Sequence, residues 1–363
     1  MHTSLPHMSG TPTSPPAIEA ASRLGRVDAV RILAALCVVY LHAKPFVSAS
    51  YTGTAYSVLR DGIILFTRFA VPFFFIAAGF FLSRKLVAAE RPLDAVSPYI
   101  RRLAILYLAW SAFYFFFPIN WLSLLLAGEW KPFYWKATHA VTHLMSNPLV
   151  FLFKSTSIHL WFLPALAIAS YGLALAVRYG KEWLFLSLGF CLYLSGALSD
   201  AYGKAGWGLQ IDPLLVLGLC YGPLLVGLGW VIARHARHSF THAALLIISG
   251  FSLQYLEASW LLHVHDVPLI SPAYLVGTLL FGTGMMTLGL ALPAPLTGRM
   301  LRHFASLTLG IYLIHIWVKG LLLPLDGVLG GPLWELGFPV MIFMASWMLV
   351  LGIRRTPFGG KLL

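Results

Sequence analysis

Ten apolar stretches, each close to the length that crosses a lipid bilayer, leave this chain little else from which to build a fold. A hydrocarbon core about 30 Å thick takes roughly 20 helical residues at 1.5 Å each. Inside it every backbone N–H and C=O must be satisfied locally, which a helix does. The stretches fall at about 29–45, 62–83, 101–126, 158–178, 183–199, 212–233, 242–263, 271–292, 303–323 and 333–353. The first and fifth are the shortest, so a count of nine stays open. The expectation is an all-α fold, a polytopic membrane helical bundle of about ten transmembrane helices over residues 28–355.

A soluble alternative is excluded by composition, because only 10% of residues are charged and 59% are hydrophobic, against a charged share of about 25% in soluble domains. The positive-inside rule sets the orientation. With the N-terminus cytoplasmic, sixteen Lys and Arg collect in the inner segments and six in the outer ones, so both termini come out cytoplasmic. The net charge of +12 follows from that topology, and no nucleic-acid partner is implied, since the basic residues are spread over short loops. The expected setting is a membrane that the chain crosses many times.

The tail at 1–27 is rich in Ser, Thr, Pro and Ala and lacks an apolar core. It reads as a disordered cytoplasmic tail rather than a cleaved signal, and residues 356–363 as a second cytoplasmic tail. Cys37, Cys191 and Cys220 show no paired spacing and no metal pattern, so no metal site is expected and the thiols read as packing residues. The longest polar stretch, about 127–157, still carries Trp130, Phe133, Tyr134 and Trp135, which suits a loop lying on the outer membrane face.

Within the first stretch, RILAALCVVYLHA, Arg31 and His42 stand eleven residues apart. At about 100° per residue they share one helix face, about 16 Å apart along the axis. Ionisable groups at membrane depth usually face a polar cavity. The competing reading is a snorkelling Arg31 and a His42 that bonds a neighbouring helix. Other polar groups at membrane depth are Arg68 before AVPFFFIAAGFF, His159 and Trp161 in HLWFLPAL, Glu257 in LQYLEASWLL, and Tyr312 and His315 in LGIYLIHI. Glu257 should protonate or find a cation, with Arg31, Arg68 or His42 as candidate partners. His159 and Trp161 suit a sugar or a headgroup belt.

Taken in order, Arg-x10-His in the first stretch, RFAVPFFFIAAGF in the second, RR opening the third, HLWFL opening the fourth and LGIYLIHI in the ninth resemble the acyltransferase type 3 family over roughly residues 23–325. The resemblance implies ten-helix membrane enzymes that take an acyl group from cytoplasmic acyl-CoA and place it on a hydroxyl, usually of a carbohydrate, on the far side. It also implies that the pair matching Arg31 and His42 is required. Many members carry Ser-Gly-Phe or Ser-Gly-Tyr where this chain has Ala78-Gly79-Phe80.

Acyl transfer to a hydroxyl needs a base, and His is the side chain that titrates nearest working pH. His42 is therefore the expected base, acting directly or through a covalent acyl-histidine. Arg31, oriented by Asp28 one turn earlier, suits a CoA phosphate, together with Arg101 and Arg102. Arg68, His159, Trp161, Glu257, Tyr312 and His315 are left for the acceptor or for support. The expected donor substrate is acetyl-CoA or another acyl-CoA, with no permanently bound cofactor. The expected acceptor is an exopolysaccharide, an O-antigen or an undecaprenyl-linked oligosaccharide. A different class remains open: a proton-coupled transporter or flippase of an amphipathic carbohydrate, with His42 and Glu257 as its proton relay.

Overall fold

In the computed structural model, which describes residues 15–206, 208–234, 238–292, 299–357 and 359–362, the chain folds as helices. In order they are α1 (Pro15–Ala43), α2 (Ala55–Thr67), α3 (Ala70–Ala88), α4 (Pro92–Phe116), α5 (Trp121–Leu126), α6 (Lys131–Ser146), α7 (Pro148–Lys154), α8 (Phe162–Arg178) and α9 (Glu182–Lys204). There follow α10 (Pro213–Leu215), α11 (Gly222–Arg234), α12 (Phe240–His265), α13 (Val276–Ala291), α14 (Arg299–Leu322), α15 (Asp326–Leu329), α16 (Pro332–Arg354) and α17 (Gly359–Leu362).

The protein is a helical membrane bundle. Its outward faces carry Leu108, Leu184, Ile248 and Met348 exposed, the apolar exterior that lipid accepts and water does not. Helix occupies most of each of the ten expected stretches. Among the described residues, seven helical stretches are long and apolar enough to cross a bilayer: Ala55–Ala88, Ile158–Arg178, Glu182–Lys204, Pro213–Arg234, Phe240–His265, Met300–Leu325 and Pro332–Arg354. The remaining three are α1, α4 and the 16-residue α13, and helix length and apolarity alone do not bring the number of crossings to ten.

The boundaries differ most from expectation at α1 and α4. α1 starts at Pro15, so helix occupies much of the stretch read as tail; residues 1–14 of that tail lie outside the described residues. α4 starts at Pro92 and stops at Phe116, ahead of Pro118, so the third apolar stretch is shifted toward the N-terminus and α5 is separate. The aromatic loop after α5 is itself helical, as α6 and α7, with Trp130, Tyr134 and Trp135 exposed.

α3 lies at the centre. Its apolar residues run all round the helix, as in helices buried on every side, and Phe73, Phe75 and Ile76 are fully buried. Glycine lets α11 approach it: a Cβ on Gly79 would sit 2.0 Å from the Val226 carbonyl oxygen, and one on Gly229 would sit 2.0 Å from that of Ile76. Such reciprocal small-residue contacts are how membrane helices gain packing without a solvent-driven hydrophobic effect. α1 packs against α2, α3, α13, α14 and α16, which places its Arg31 to His42 face inside the bundle.

Candidate active site

Arg31 and His42 open into one cavity of about 520 Å³, within the roughly 300–1,000 Å³ typical of small-molecule sites. At its Arg31 end the walls carry four basic side chains, Arg31, Lys85, Arg102 and Arg354. Arg31 Nη1 donates to Asp28 Oδ1 at 3.3 Å, the expected one-turn ion pair. Arg354 Nη1 and Nη2 donate to Ser306 Oγ (3.0 Å) and the Ser306 carbonyl (2.6 Å). Apolar walls from Phe74, Ala78, Phe81 and Leu166 lead inward. Ala78 therefore presents a methyl to the cavity where the resemblance anticipates a hydroxyl.

At the other end three imidazoles converge. The His42 ring centroid lies 5.1 Å from that of His315 and 6.3 Å from that of His159, and the latter two are 5.5 Å apart. Hydrogen bonding to carbonyls assigns tautomers to two of them, because a carbonyl can only accept. His315 Nδ1 donates to the Tyr312 carbonyl at 2.6 Å. Its Nε2 then carries a lone pair, which is buried with no partner among the described residues. His159 Nε2 donates to the Leu313 carbonyl at 3.4 Å, so Nδ1 accepts from Ser157 Oγ at 2.9 Å. Both nitrogens of His159 are thus occupied, leaving His42 as the ring available for proton transfer on the cavity wall.

The end of α1 is held firmly. Lys319 Nζ donates to the His42 carbonyl at 2.7 Å, satisfying one of the orphan acceptors of a helix C-terminus. The following turn places Lys44 and Phe46 at positive φ (52° and 58°), and the Phe46 N–H donates to Glu335 Oε2 at 2.7 Å. Tyr312 Oη donates to the His159 carbonyl, and Tyr114 Oη to the Leu313 carbonyl at 2.8 Å.

A second cavity of about 600 Å³ lies beyond, sharing Leu41, Val71 and Trp161 with the first. Arg68 lines it from the break between α2 and α3. The break has a local cause: Pro72 has no N–H to donate to the Arg68 carbonyl four residues earlier. The nearby Leu65 carbonyl accepts from Gln254 Nε2 at 2.7 Å as well as from the Arg68 N–H at 3.4 Å. A π-helical turn, Val216–Cys220, precedes Tyr221 on the opposite wall.

The structure thus sorts the residues expected from sequence. Arg31, His42, Arg102, His159, Trp161 and Tyr312 line the first cavity, and Arg68 and Trp161 the second. His315 lines neither cavity, and its ring lies 5.1 Å from that of His42. Arg101 is exposed and lines neither cavity, because one residue along a helix turns the side chain by about 100° from Arg102. Glu257 also lines neither. It accepts from the Val276 N–H (2.7 Å) and Tyr202 Oη (3.1 Å) and forms no ion pair with Arg31, Arg68 or His42. Lys85 and Arg354 were hidden among the positive-inside charges, and Lys319 and Asp200 carried no motif. Among the described residues no set of three His, Cys, Asp or Glu is arranged to hold a metal ion.

A family model described as "Acyltransferase domain" matches residues 24–353. An "Amino-acid racemase" of Enterococcus faecalis is 32% identical over 184 residues, 48% of this chain and 22% of that protein. A "Serine/alanine racemase" of Enterococcus gallinarum is 25% identical over 310 residues, 80% of this chain and 40% of that protein. The chain spans less than half the length of these curated relatives. No solved structure matches the chain significantly.

Proposed function

We propose that this chain, which belongs to the acyltransferase type 3 family, is a membrane acyltransferase that moves an acyl group, acetyl by default, from cytoplasmic acyl-CoA to a carbohydrate hydroxyl on the outer side. The acceptor in this reading is an exopolysaccharide, an O-antigen or its undecaprenyl-linked repeat unit, and the enzyme sits in a bacterial inner membrane with both termini cytoplasmic. One observation carries it: a single cavity joins four basic side chains at one end to His42 at the other.

The basic end suits the phosphates of CoA. Arg31 lies about 16 Å from His42 along α1, so a thioester on a flexible arm passes between apolar walls to the imidazole. His42 takes the proton of the acceptor hydroxyl as its oxygen attacks the thioester carbonyl. Collapse of the tetrahedral intermediate breaks the carbon–sulfur bond, and His42 returns the proton to the departing thiolate. The products are an ester and free CoA. The unpaired Nε2 of His315 offers an acceptor toward the His42 ring, so His315 is read as a positioning residue.

The test uses purified full-length protein and a deletion strain. Acetyl-CoA should raise Tm, and Arg31→Ala should weaken that protection roughly 10- to 150-fold in concentration, as expected for losing about 1.5–3 kcal/mol of charged hydrogen bonding. His42→Ala should keep the protection yet fail to restore ester-linked acyl groups on surface polysaccharide, read by mass spectrometry. If no acyl-CoA protects the wild type and deletion lowers polymer export with acylation unchanged, the transferase reading is lost to the transporter.

A further inference from the structure

We infer that the second cavity is a seat for an anionic group, a phosphate ester or a carboxylate, bound by Arg68; resting on the acyl-transfer reading, this makes the acceptor an anion-bearing carbohydrate or lipid-linked sugar. Arg68 is only 8% exposed. Its Nη2 donates at 3.4 Å to the Leu269 carbonyl, and its Nη1 is buried with no partner among the described residues. A guanidinium has five donors, and leaving a charged donor buried and unsatisfied costs more than removing it altogether. An oxyanion in the cavity is the partner that a forked, planar cation fits best.

The neighbouring carboxylates do not fill that role. Asp200 and Glu257 act on Arg68 electrostatically, but neither lies within ion-pair distance of it, and each of their oxygens already accepts a hydrogen bond from another group. Asp200 Oδ1 accepts from Lys204 Nζ at 2.5 Å, and Oδ2 from the N–H groups of Ala273 and Tyr274. Glu257 holds Tyr202 and the Val276 N–H. Lys204 Nζ further donates to the Ser271 carbonyl at 2.8 Å. Together these groups brace the proline-bearing segment, Pro268 to Ala273, that forms one wall of the cavity, so the seat exists before any ligand enters.

Charge points the same way. Lys44, two residues after His42, lines the same cavity. Lys44 and Arg68 are the charged residues that line this cavity, so an anion entering it meets cations on its walls. The two cavities meet at Leu41, Val71 and Trp161, and Leu41 precedes His42. A ligand anchored by its anion at Arg68 therefore brings an adjacent hydroxyl to the junction with the first cavity, on whose wall His42 lies.

The probes are farnesyl phosphate, glucuronate and glucose, added to full-length protein in zwitterionic nanodiscs with saturating coenzyme A to occupy the Arg31 cavity. Binding is read by tryptophan fluorescence, to which Trp161 reports. The expected result is saturable binding of at least one anion, little of glucose, and a tenfold or greater loss in Arg68→Gln. Farnesyl phosphate alone binding names a lipid-linked phosphate as the source; glucuronate alone names a uronic acid of the polymer. Binding of anions to Arg68→Gln as to wild type, or of glucose as tightly as glucuronate, overturns the inference. Folding is monitored by acetyl-CoA protection. Should Arg68→Gln lose that as well, Arg68→Lys decides: retained anion binding supports the seat and its loss overturns it. Failure of acetyl-CoA to protect the wild type would remove the donor reading while leaving the anion result standing.

Discussion

Gly79→Ala tests whether the contact between α3 and α11 holds the donor cavity in shape. The added Cβ would stand 2.0 Å from the Val226 carbonyl oxygen, against the 3.4 Å at which ordinary contact begins, a shortfall of 1.4 Å. The obstacle is backbone rather than a flexible side-chain tip, so the helices must part. Overpacking of this kind costs about 1–3 kcal/mol, sometimes more, and a gap of even 0.5–1 Å forfeits roughly a quarter to a half of each dispersion contact along the seam. The same helix supplies Phe74, Ala77, Ala78 and Phe81 to the cavity wall, so acetyl-CoA protection should weaken along with stability. The assay is Tm in detergent, with and without acetyl-CoA, and Gly62→Ala as control. Gly62 has nothing within 4 Å of its added Cβ, and alanine in an exposed helix gains about 0.5–1 kcal/mol. A few degrees lost in Gly79→Ala and none in Gly62→Ala is expected. Equal Tm values for Gly79→Ala and wild type would refute the steric reasoning, and equal losses in both variants would assign the effect to glycine removal in general.

His315→Asn should lower the acyl-transfer rate roughly ten- to a hundredfold, part of the 10²–10⁴ carried by a general base, and shift the pH–rate profile while acetyl-CoA protection persists; an unshifted profile with only a lower Tm would make His315 purely structural. Lys136, on α6, donates to the Tyr114 carbonyl at 2.9 Å, and burial pushes its amine down to about 8. Its charged form is thus penalised in the folded state, the unfolded chain binds more protons between about pH 8 and 10.5, and stability at this residue rises with pH across that window. Lys136→Met should flatten this rise and be more stable than wild type near pH 7, and a lower Tm for the variant at pH 7 would contradict it. Asp200→Ala strands two backbone donors, Ala273 and Tyr274, at about 1–3 kcal/mol each where buried; Tm and farnesyl phosphate binding should fall together, and intact binding would show that the brace is not what shapes the cavity.

How much was legible follows from how far apart the cooperating residues lie. The helices could be read directly, because lipid forces each apolar stretch of about 20 residues to satisfy its own backbone. The Arg31 and His42 pair was equally local, since eleven residues on one helix share a face whatever surrounds them, and Asp28 could be paired with Arg31 for the same reason. Arg101 falls outside both cavities, because a doublet does not say which side chain faces inward. Glu257 was given cations as partners; its hydrogen bonds come from a backbone N–H and a tyrosine, and Arg68 acts on it only electrostatically, without an ion pair.

What the sequence determined by itself was the solvent, the helical class and the two ends of one pocket, all set by spacing along single segments. Only the tertiary structure decided that His159 and His315, more than a hundred residues from His42, meet it within about 6 Å, that Lys85 and Arg354 join Arg31, and that Arg68 faces a separate cavity with a donor to spare. The physical reason is that apolar helices carry little in their sequence to say which neighbour each will pack against. That choice rests on close approaches such as Gly79 to Val226 and Gly229 to Ile76, where two backbones touch and no side-chain pattern announces the contact.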